Sequence, residues 1–569
     1  MKILSWSGAV IVLTILLFTR LAWSASITPS LTHDELIYAG NAKAISLWGH
    51  DVTGTHGWFD LTPVHPMYAE WTASLMAPFF WLIKDPILAT HALPTLFSLT
   101  LPFIFAWFVY GLFKDMRLSL IAGILLTISP LAIQFSKLTY DSFFSLFFYV
   151  LGGAIYLNLK NRQKWWAIPI LIVGFFNYQG YKLLLLPWTL FLWSWQLWGT
   201  QTKKKELSFL PLFGLIVTLM YGLILLPKQA TVSRLSQTIF SDKAQIEAVT
   251  YARRKASLAP ALGVYVSNRL SSSLELGLDN FLQSINPTML FLRGEPAESG
   301  FALWTHGFFY VLDGLLIGLG LVKLFSDKKY TSKAILILLM LLASLIPTTV
   351  STISHWYLLR CLFAYFWLYI FMAFGFQALM KYRFPFLVVS LLYVGSFLNF
   401  AYQYFYQYPL YRSDSAELHE AIAVNYAARA SSLGSVIVYD DEPHYLYLSH
   451  LLYGNAFSSV DAGAVASAFA SNRFQIGQIT YANLCQPESN PATIVISDLY
   501  DPCDKAVRSE SVSIVSLIDG GKKYRIQADR LCGAQPLNPY IRKAKLSEMN
   551  FRQPDDASFC QAWITDQTL

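Results

Sequence analysis

Charge is what this sequence has least of. Asp, Glu, Lys and Arg make up 14% of its 569 residues, whereas a soluble chain is roughly one-quarter charged. Also missing are the Cys/His spacing of a zinc finger, a glycine-rich loop able to cradle phosphate, and any heptad or solenoid repeat. The net charge of +7 sits mostly in short loops between apolar runs. Together these absences exclude a nucleic-acid binder, a P-loop enzyme and a coiled coil. No Asn-x-Ser/Thr acceptor with an allowed middle residue occurs, which favours a bacterial chain over a glycosylated lumenal one.

What is present is apolar. Hydrophobic residues reach 55% and aromatics 16%, and runs of about 17 to 25 such residues recur, each long enough to cross ~30 Å of hydrocarbon. The pattern predicts a mainly α polytopic helical membrane protein with about eleven spans, near 4–24, 89–113, 118–135, 142–159, 165–178, 182–198, 207–226, 307–324, 334–350, 361–379 and 384–402. The run Trp71 to Ile83 is short and reads as interfacial or re-entrant. Basic loops remain in the cytoplasm. Lys114–Arg117, KNRQK at 160–164, KKK at 203–205, SDKKYTSK at 326–333 and KYR at 381–383 alternate accordingly. The N-terminus is then inside and the C-terminus outside. Residues 1–25 also carry the outline of a secretory signal, with Lys2, an apolar core and AWSAS, although Arg20 is ill placed for one.

Four of the five cysteines, Cys485, Cys503, Cys532 and Cys560, lie in the polar C-terminal region. An exported region with four cysteines predicts two disulfides, with three pairings open. Cys361 lies in an apolar span and reads as packing. The chain divides into a membrane domain at 1–402, with outer loops at 25–88 and 228–306, and an extracytoplasmic α/β domain at 403–569. In the latter, 416–430 has helical periodicity, and SVIVYDD (435–441), ATIVISDL (492–499) and SVSIVSL (511–517) read as strands. Asp440, Asp441 and Glu442 read as a solvated strand end.

The first outer loop holds SLTHDELIYAG (30–40), with adjacent acids Asp34 and Glu35. A helix is expected from about Asp34 to Trp48, ended by Gly49. One reading is local: Thr32 and Glu35 form a capping box, and acids in a first turn gain ~0.3–1 kcal/mol from the helix dipole. That accounts for Glu35 and leaves His33 and Asp34 over. The other reading is chemical. A carboxylate at the outer boundary adjoins the head group of a lipid-linked donor. If that donor is a sugar on a polyprenyl phosphate, the leaving group is already an anion. Catalysis then needs one base for the acceptor hydroxyl and cations for the phosphate.

Cations are available on the same side: Lys137 in SKLTYD with Asp141, Lys182 in NYQGYK, Arg293 in MLFLRGEP, and Arg360 in STISHWYLLR. Each has an ordinary alternative. Lys182 and Arg360 read equally as snorkelling side chains, and Lys137 with Asp141 as an i, i+4 ion pair. His33, His56, His65 and His355 read as hydrogen-bonded interface histidines, and Tyr178 and Tyr181 as members of an interfacial belt. Convergence on one face of the membrane favours the chemical reading.

Four motifs, HDELIYAGNA, SKLTYDSFF, YQGYKLLLLP, and FLRGEP with HWYLLR, together resemble the GT-C membrane glycosyltransferases that use polyprenyl-phosphate sugars. The likeness is to the branch with protein O-mannosyltransferases and the lipid A aminoarabinose transferase, and it spans about residues 1–400. The resemblance implies an inverting transfer to an extracytoplasmic lipid, protein or glycan acceptor in a bacterial inner membrane. It implies Asp34 as catalytic base, with Glu35, His33 and Asp141 in support. Lys137, Lys182, Arg293 and Arg360 would hold the donor phosphate. His56, His65, Tyr178, Tyr181 and His355 would contact substrate. The resemblance requires no cofactor, and it leaves a divalent metal open without indicating one, since some enzymes of the class use such an ion. Two other functions compete: a transporter or flippase of a lipid-linked glycan, which needs charged or broken spans near the midplane, and an inactive relative serving in assembly.

Overall fold

The computed structural model describes residues 6–22, 24, 26–63, 68–199, 209–225, 237–256, 258, 260–296, 299–303, 306–352, 358–483, 492–498, 511–533, 537 and 542–566. Helices dominate. Among the described residues, Pro86–Phe113, Thr331–Thr349, Leu358–Leu379 and Arg383–Ser415 are each long and apolar enough to cross a bilayer, and shorter apolar helices accompany them. This is a membrane protein. Several expected spans are not single helices. The one near 118–135 stops at Ile128 and restarts at Pro130, because proline has no N–H for the helical ladder. The stretch Trp71 to Ile83 forms a short helix, Thr72–Leu82, with Pro78 inside it.

Nine helices carry the argument: α1 (Trp6–Leu21), α2 (His33–Trp48), α3 (Pro86–Phe113), α4 (Asp141–Asn158), α5 (Val311–Ser326), α6 (Leu358–Leu379), α7 (Arg383–Tyr402), α8 (Leu418–Ala430) and α9 (Pro443–Tyr453). α6 is the central post, buried along nearly its whole length. It crosses α5 at Gly320 and Gly375, where an added Cβ would strike the carbonyls of Phe371 and Leu316. Hydrocarbon provides no hydrophobic drive between helices, so close backbone approach at small residues replaces it. α3 packs on α4, and α1 is held by Arg20, whose Nε donates to Ser98 at 2.9 Å.

The C-terminal region is α/β, as expected. Its sheet runs β2-β3-β1-β4-β6-β5, where β1 is Val436–Tyr439, β2 Phe474–Ile476, β3 Ile479–Ala482, β4 Ile494–Asp498, β5 Ser511–Val515 and β6 Lys522–Gln527. β1 pairs parallel with β3 and β4, and the remaining pairs are antiparallel. The predicted helix at 416–430 is α8, and the three predicted strands are β1, β4 and β5. Asp440 is no solvated strand end: it is buried and accepts from the Tyr524 hydroxyl.

This domain sits on the segment at 30–48 that holds α2. Leu31 N–H donates to the Tyr453 hydroxyl at 3.0 Å, Ser30 donates to the Ala416 carbonyl, and Gly40 of α2 faces Leu448 of α9 with no room for a Cβ. Arg552 pairs with Asp85, the N-cap of α3, at 2.6 Å. α7 continues through a π-helical turn at Gln403–Gln407 into Tyr408–Ser415, so the last apolar helix runs into the tail without a linker.

Among the described residues one disulfide, Cys532–Cys560, closes a separation of 28 residues. Cys485 and Cys503 lie outside the described residues. Constraint of the unfolded chain by such a loop contributes about 3–4 kcal/mol. Cys532→Ser therefore lowers the melting temperature of the purified protein by several degrees. Peptide mapping of the wild type without reductant recovers the Cys532–Cys560 link. Unlinked peptides and an unchanged melt would contradict this.

Candidate active site

The site begins at the start of α2. Thr32 caps the helix: its hydroxyl accepts from Glu35 N–H at 3.3 Å, and Glu35 reaches back to Thr32 N–H at 3.1 Å. The capping box expected from the sequence is formed, and Gly49, at φ 80°, ends the helix in the left-handed region. With α2 pinned at both ends, two adjacent acids take opposite fates.

Glu35 turns inward and is fully buried. Its Oε1 lies 3.2 Å from His91 Nε2 and accepts from Thr139 N–H at 2.8 Å, and its Oε2 is 3.8 Å from the Arg412 guanidinium. Burial pushes the carboxyl up, but His91, Arg412 and the Thr139 N–H outweigh it and hold it below the ordinary carboxylate range. Glu35 is a structural anion, in correction of its expected supporting role in acid–base chemistry.

Asp34 turns the other way, into a cavity of about 340 Å³. Its Oδ1 accepts from the Tyr68 hydroxyl at 2.7 Å. Asp141, in the first turn of α4, lines the same cavity and accepts from the Tyr38 hydroxyl at 2.7 Å and from Ser142 N–H at 2.8 Å. Each acid is thus held by one tyrosine, and the two tyrosine rings meet edge to face at 5.1 Å. Facing them in the cavity are Lys182 and Arg360, with Tyr178 also in its wall. Phe175, Leu183, Pro347, Val350 and Leu359 supply an apolar side.

Lys182 is buried and donates to Glu70 at 2.5 Å, Gln179 Oε1 at 2.7 Å and the Tyr221 hydroxyl at 2.9 Å, which occupies all three ammonium hydrogens. Glu70 supplies the counter-charge a buried ammonium requires. Arg360 donates to the Ser351 hydroxyl. It sits in the first turn of α6, whose start is tied down by Glu295: that carboxylate accepts from Leu358 N–H. The FLRGEP motif thus acts through its glutamate, as a clamp on the helix that carries Arg360.

Other expected residues lie elsewhere. Lys137 is buried and donates to the Arg20 carbonyl and to Ser24 at 2.6 Å, tying α1 down instead of lining the cavity. Arg293 is exposed and outside the cavity wall. Tyr181 is fully buried, with its hydroxyl donating to the Leu359 carbonyl at 2.9 Å and accepting from Phe363 N–H at 3.0 Å. His56 belongs to a tight turn around the buried Asp51, at 3.3 Å, and its imidazole is raised mainly by that bond. His33 stands beside the cavity, against the C-terminal domain, with Nε2 2.9 Å from Glu420. His65 and His355 lie outside the described residues. The sequence reading missed Tyr38, Tyr68 and Glu70. Tyr38 was accessible, since it lies one helical turn after Asp34 and therefore on the same face.

Among the described residues, His33, Glu417 and Glu420 bring potential metal-ligand atoms within 4.8 Å of one another. In this structure His33 Nε2 faces Glu420 at 2.9 Å.

The two adjacent acids should separate by experiment. Glu35→Ala strands a buried guanidinium and imidazole, a loss of about 3–5 kcal/mol, and the melting temperature drops sharply. Asp34→Asn leaves it unchanged. A Glu35→Ala protein that melts like the wild type would contradict the structural assignment.

No protein-family model and no curated protein matches the sequence. Solved structures do. The chain is similar to the oligosaccharyltransferase AglB of Archaeoglobus fulgidus in complex with an inhibitory peptide and a dolichol-phosphate, at 13% identity over 87% of this chain and 70% of that one, TM-score 0.41. It is also similar to ArnT from Cupriavidus metallidurans bound to undecaprenyl phosphate, at 13% identity over 93% of this chain and 100% of that one, TM-score 0.45. These likenesses transfer neither residue roles nor activity to this chain.

Proposed function

We propose that the protein is an inverting glycosyltransferase of the GT-C kind, moving a sugar from a polyprenyl-phosphate donor to an acceptor outside the cytoplasm. The observation that carries this reading is the single cavity holding Asp34, Asp141, Lys182 and Arg360, four residues from four separate segments of the chain. Two acids and two cations share a space with one apolar side, which suits a ligand with an anionic head and a hydrocarbon tail.

The chemistry follows from their roles. Asp34 takes the proton from the acceptor hydroxyl, whose oxygen attacks the anomeric carbon as the bond to the phosphate oxygen breaks. A single displacement inverts that carbon. The polyprenyl phosphate departs with the bonding pair, and its negative charge is met by Lys182 and Arg360. Glu70 is the counter-charge of Lys182 before the donor arrives, and phosphate oxygens take over the places of the neutral acceptors Gln179 and Tyr221. Asp141 orients the acceptor, and Tyr178 offers its ring to a sugar face. The scheme needs no cofactor. It places the protein as a multi-pass component of a bacterial inner membrane, with the cavity and C-terminal domain outside the cytoplasm, as the loop charges indicate.

The test is transfer by the full-length protein in lipid nanodiscs, supplied with radiolabelled polyprenyl-phosphate sugars from a bacterial lipid extract. Asp34→Asn loses about 10²–10⁴-fold in transfer while still retaining the donor lipid. Undiminished product together with altered lipid sidedness would point to transport instead.

A further inference from the structure

The long loop at 228–306 contains a helix whose polarity is inside out. Among the described residues, Arg269–Ser284 belongs neither to the helices long and apolar enough to cross a bilayer nor to the shorter apolar ones. Its buried residues are Ser272, Ser273, Gly277, Asn280 and Ser284. Leu270, Leu274, Leu278 and Leu282 are each more than half exposed, and their four-residue spacing sets them in one row. A helix lying between protein and water has the reverse arrangement, with its apolar face inward.

The polar face is spent on the protein. Ser273 donates to the Ile239 carbonyl at 3.2 Å, Asn280 to the Ser351 carbonyl at 2.7 Å and Ser284 to the Thr348 hydroxyl at 3.2 Å. A Cβ on Gly277 would meet the Thr349 carbonyl at 3.4 Å. Thr348 and Thr349 close the stretch Thr331–Thr349, which is long and apolar enough to cross a bilayer and turns Leu339, Leu342 and Ile346 outward. The leucine row is therefore held at the end of a membrane span, where the bilayer surface begins.

Charge is placed to match. Glu275 and Asp279 each follow one of the leucines, about 100° further round the helix, and both are exposed. Arg253 pairs with Glu275. With Arg254 and Lys255 it forms the last turn of the helix Lys243–Lys255. The next helix, Pro260–Val266, exposes Leu262, Tyr265 and Val266. An apolar face bordered by charged residues, cations prominent among them, is the pattern of a helix lying in a lipid interface, and anionic head groups attract such cations.

We propose that residues 237–293 form an interfacial membrane element. The row from Leu270 to Leu282 lies among the acyl chains of the leaflet on the cavity's side, and Arg253, Arg254 and Lys255 lie in its head-group layer. The element is also joined to the cavity. Gln237 and Thr238 belong to the cavity wall, and Ile239 N–H donates to the Val350 carbonyl and Thr352 N–H to the Gln237 carbonyl, both at 2.9 Å. A segment that meets lipid on one face thus contributes cavity wall through the other.

The test is photo-crosslinking of the full-length protein in nanodiscs of equal parts phosphatidylethanolamine and phosphatidylglycerol. The photoreactive residue p-benzoylphenylalanine replaces Leu274 or Leu278, and, as a control, Gln475 on the exposed edge strand β2. Mass spectrometry of the irradiated protein recovers about tenfold more lipid adduct from Leu274 and Leu278 than from Gln475. Those adducts are enriched in phosphatidylglycerol, and Gln at positions 253, 254 and 255 together returns them to the bulk ratio. Lipid yields no higher than at Gln475 overturn the proposal. Adducts to a second copy, or to the chain's own residues 226–236, in place of lipid also overturn it. A lipid ratio indifferent to the three Gln substitutions overturns the placement of the cations.

Discussion

A carboxylate taken wholly out of water has to be surrounded by donors, and Glu35 is that carboxylate here. It joins the N-terminus of α2 to His91 of α3, to the Thr139 N–H ahead of α4, and to Arg412 at the entry to the C-terminal domain. One buried anion therefore fixes the first outer loop against two membrane helices and the tail. Asp34 is the next residue back. Since successive residues on a helix point about 100° apart, holding Glu35 inward commits Asp34 to the cavity. The position of the proposed base is a consequence of its neighbour's burial.

The second constraint is that unlike charges share one cavity without collapsing onto each other. Each acid takes a hydrogen bond from its own tyrosine, Tyr68 for Asp34 and Tyr38 for Asp141. Lys182 is balanced by Glu70, which lies outside the cavity wall. Gln179, Tyr221 and Ser351, which accept from Lys182 and Arg360, belong to the cavity wall themselves. Charges fixed in advance act on a developing leaving group at little reorganisation cost, here limited to the exchange of two neutral acceptors on Lys182 for phosphate oxygens. It agrees with a site built for a lipid-borne anion and an acceptor hydroxyl.

Much of this was legible in the sequence because polar residues at the ends of apolar runs are few. The capping box at Thr32 and the stop at Gly49 could be read from local pattern, and position at the ends of apolar runs brought Asp34, Asp141, Lys182 and Arg360 forward together with Lys137 and Arg293, which do not line the cavity. Lys137 looked equivalent to Lys182 by that criterion, and only packing shows that its ammonium is spent on a carbonyl of α1. Glu70, Tyr68 and the docking of the tail depend on contacts between residues hundreds of positions apart, which periodicity does not encode. β2 and β3 are too short for alternation to register, and β6, starting Lys-Lys, resembles a loop. The break at Pro130 in the span expected near 118–135 went unread, although proline has no N–H for the helical ladder.

The most direct measurement is a cryo-electron microscopy structure of the protein with a non-transferable polyprenyl-phosphate sugar analogue. The account predicts the phosphate between Lys182 and Arg360, the chain along the apolar side near Phe175 and Leu359, and the anomeric carbon facing Asp34. A phosphate bound at the exposed Arg293, or a sugar lodged away from Asp34, would contradict it.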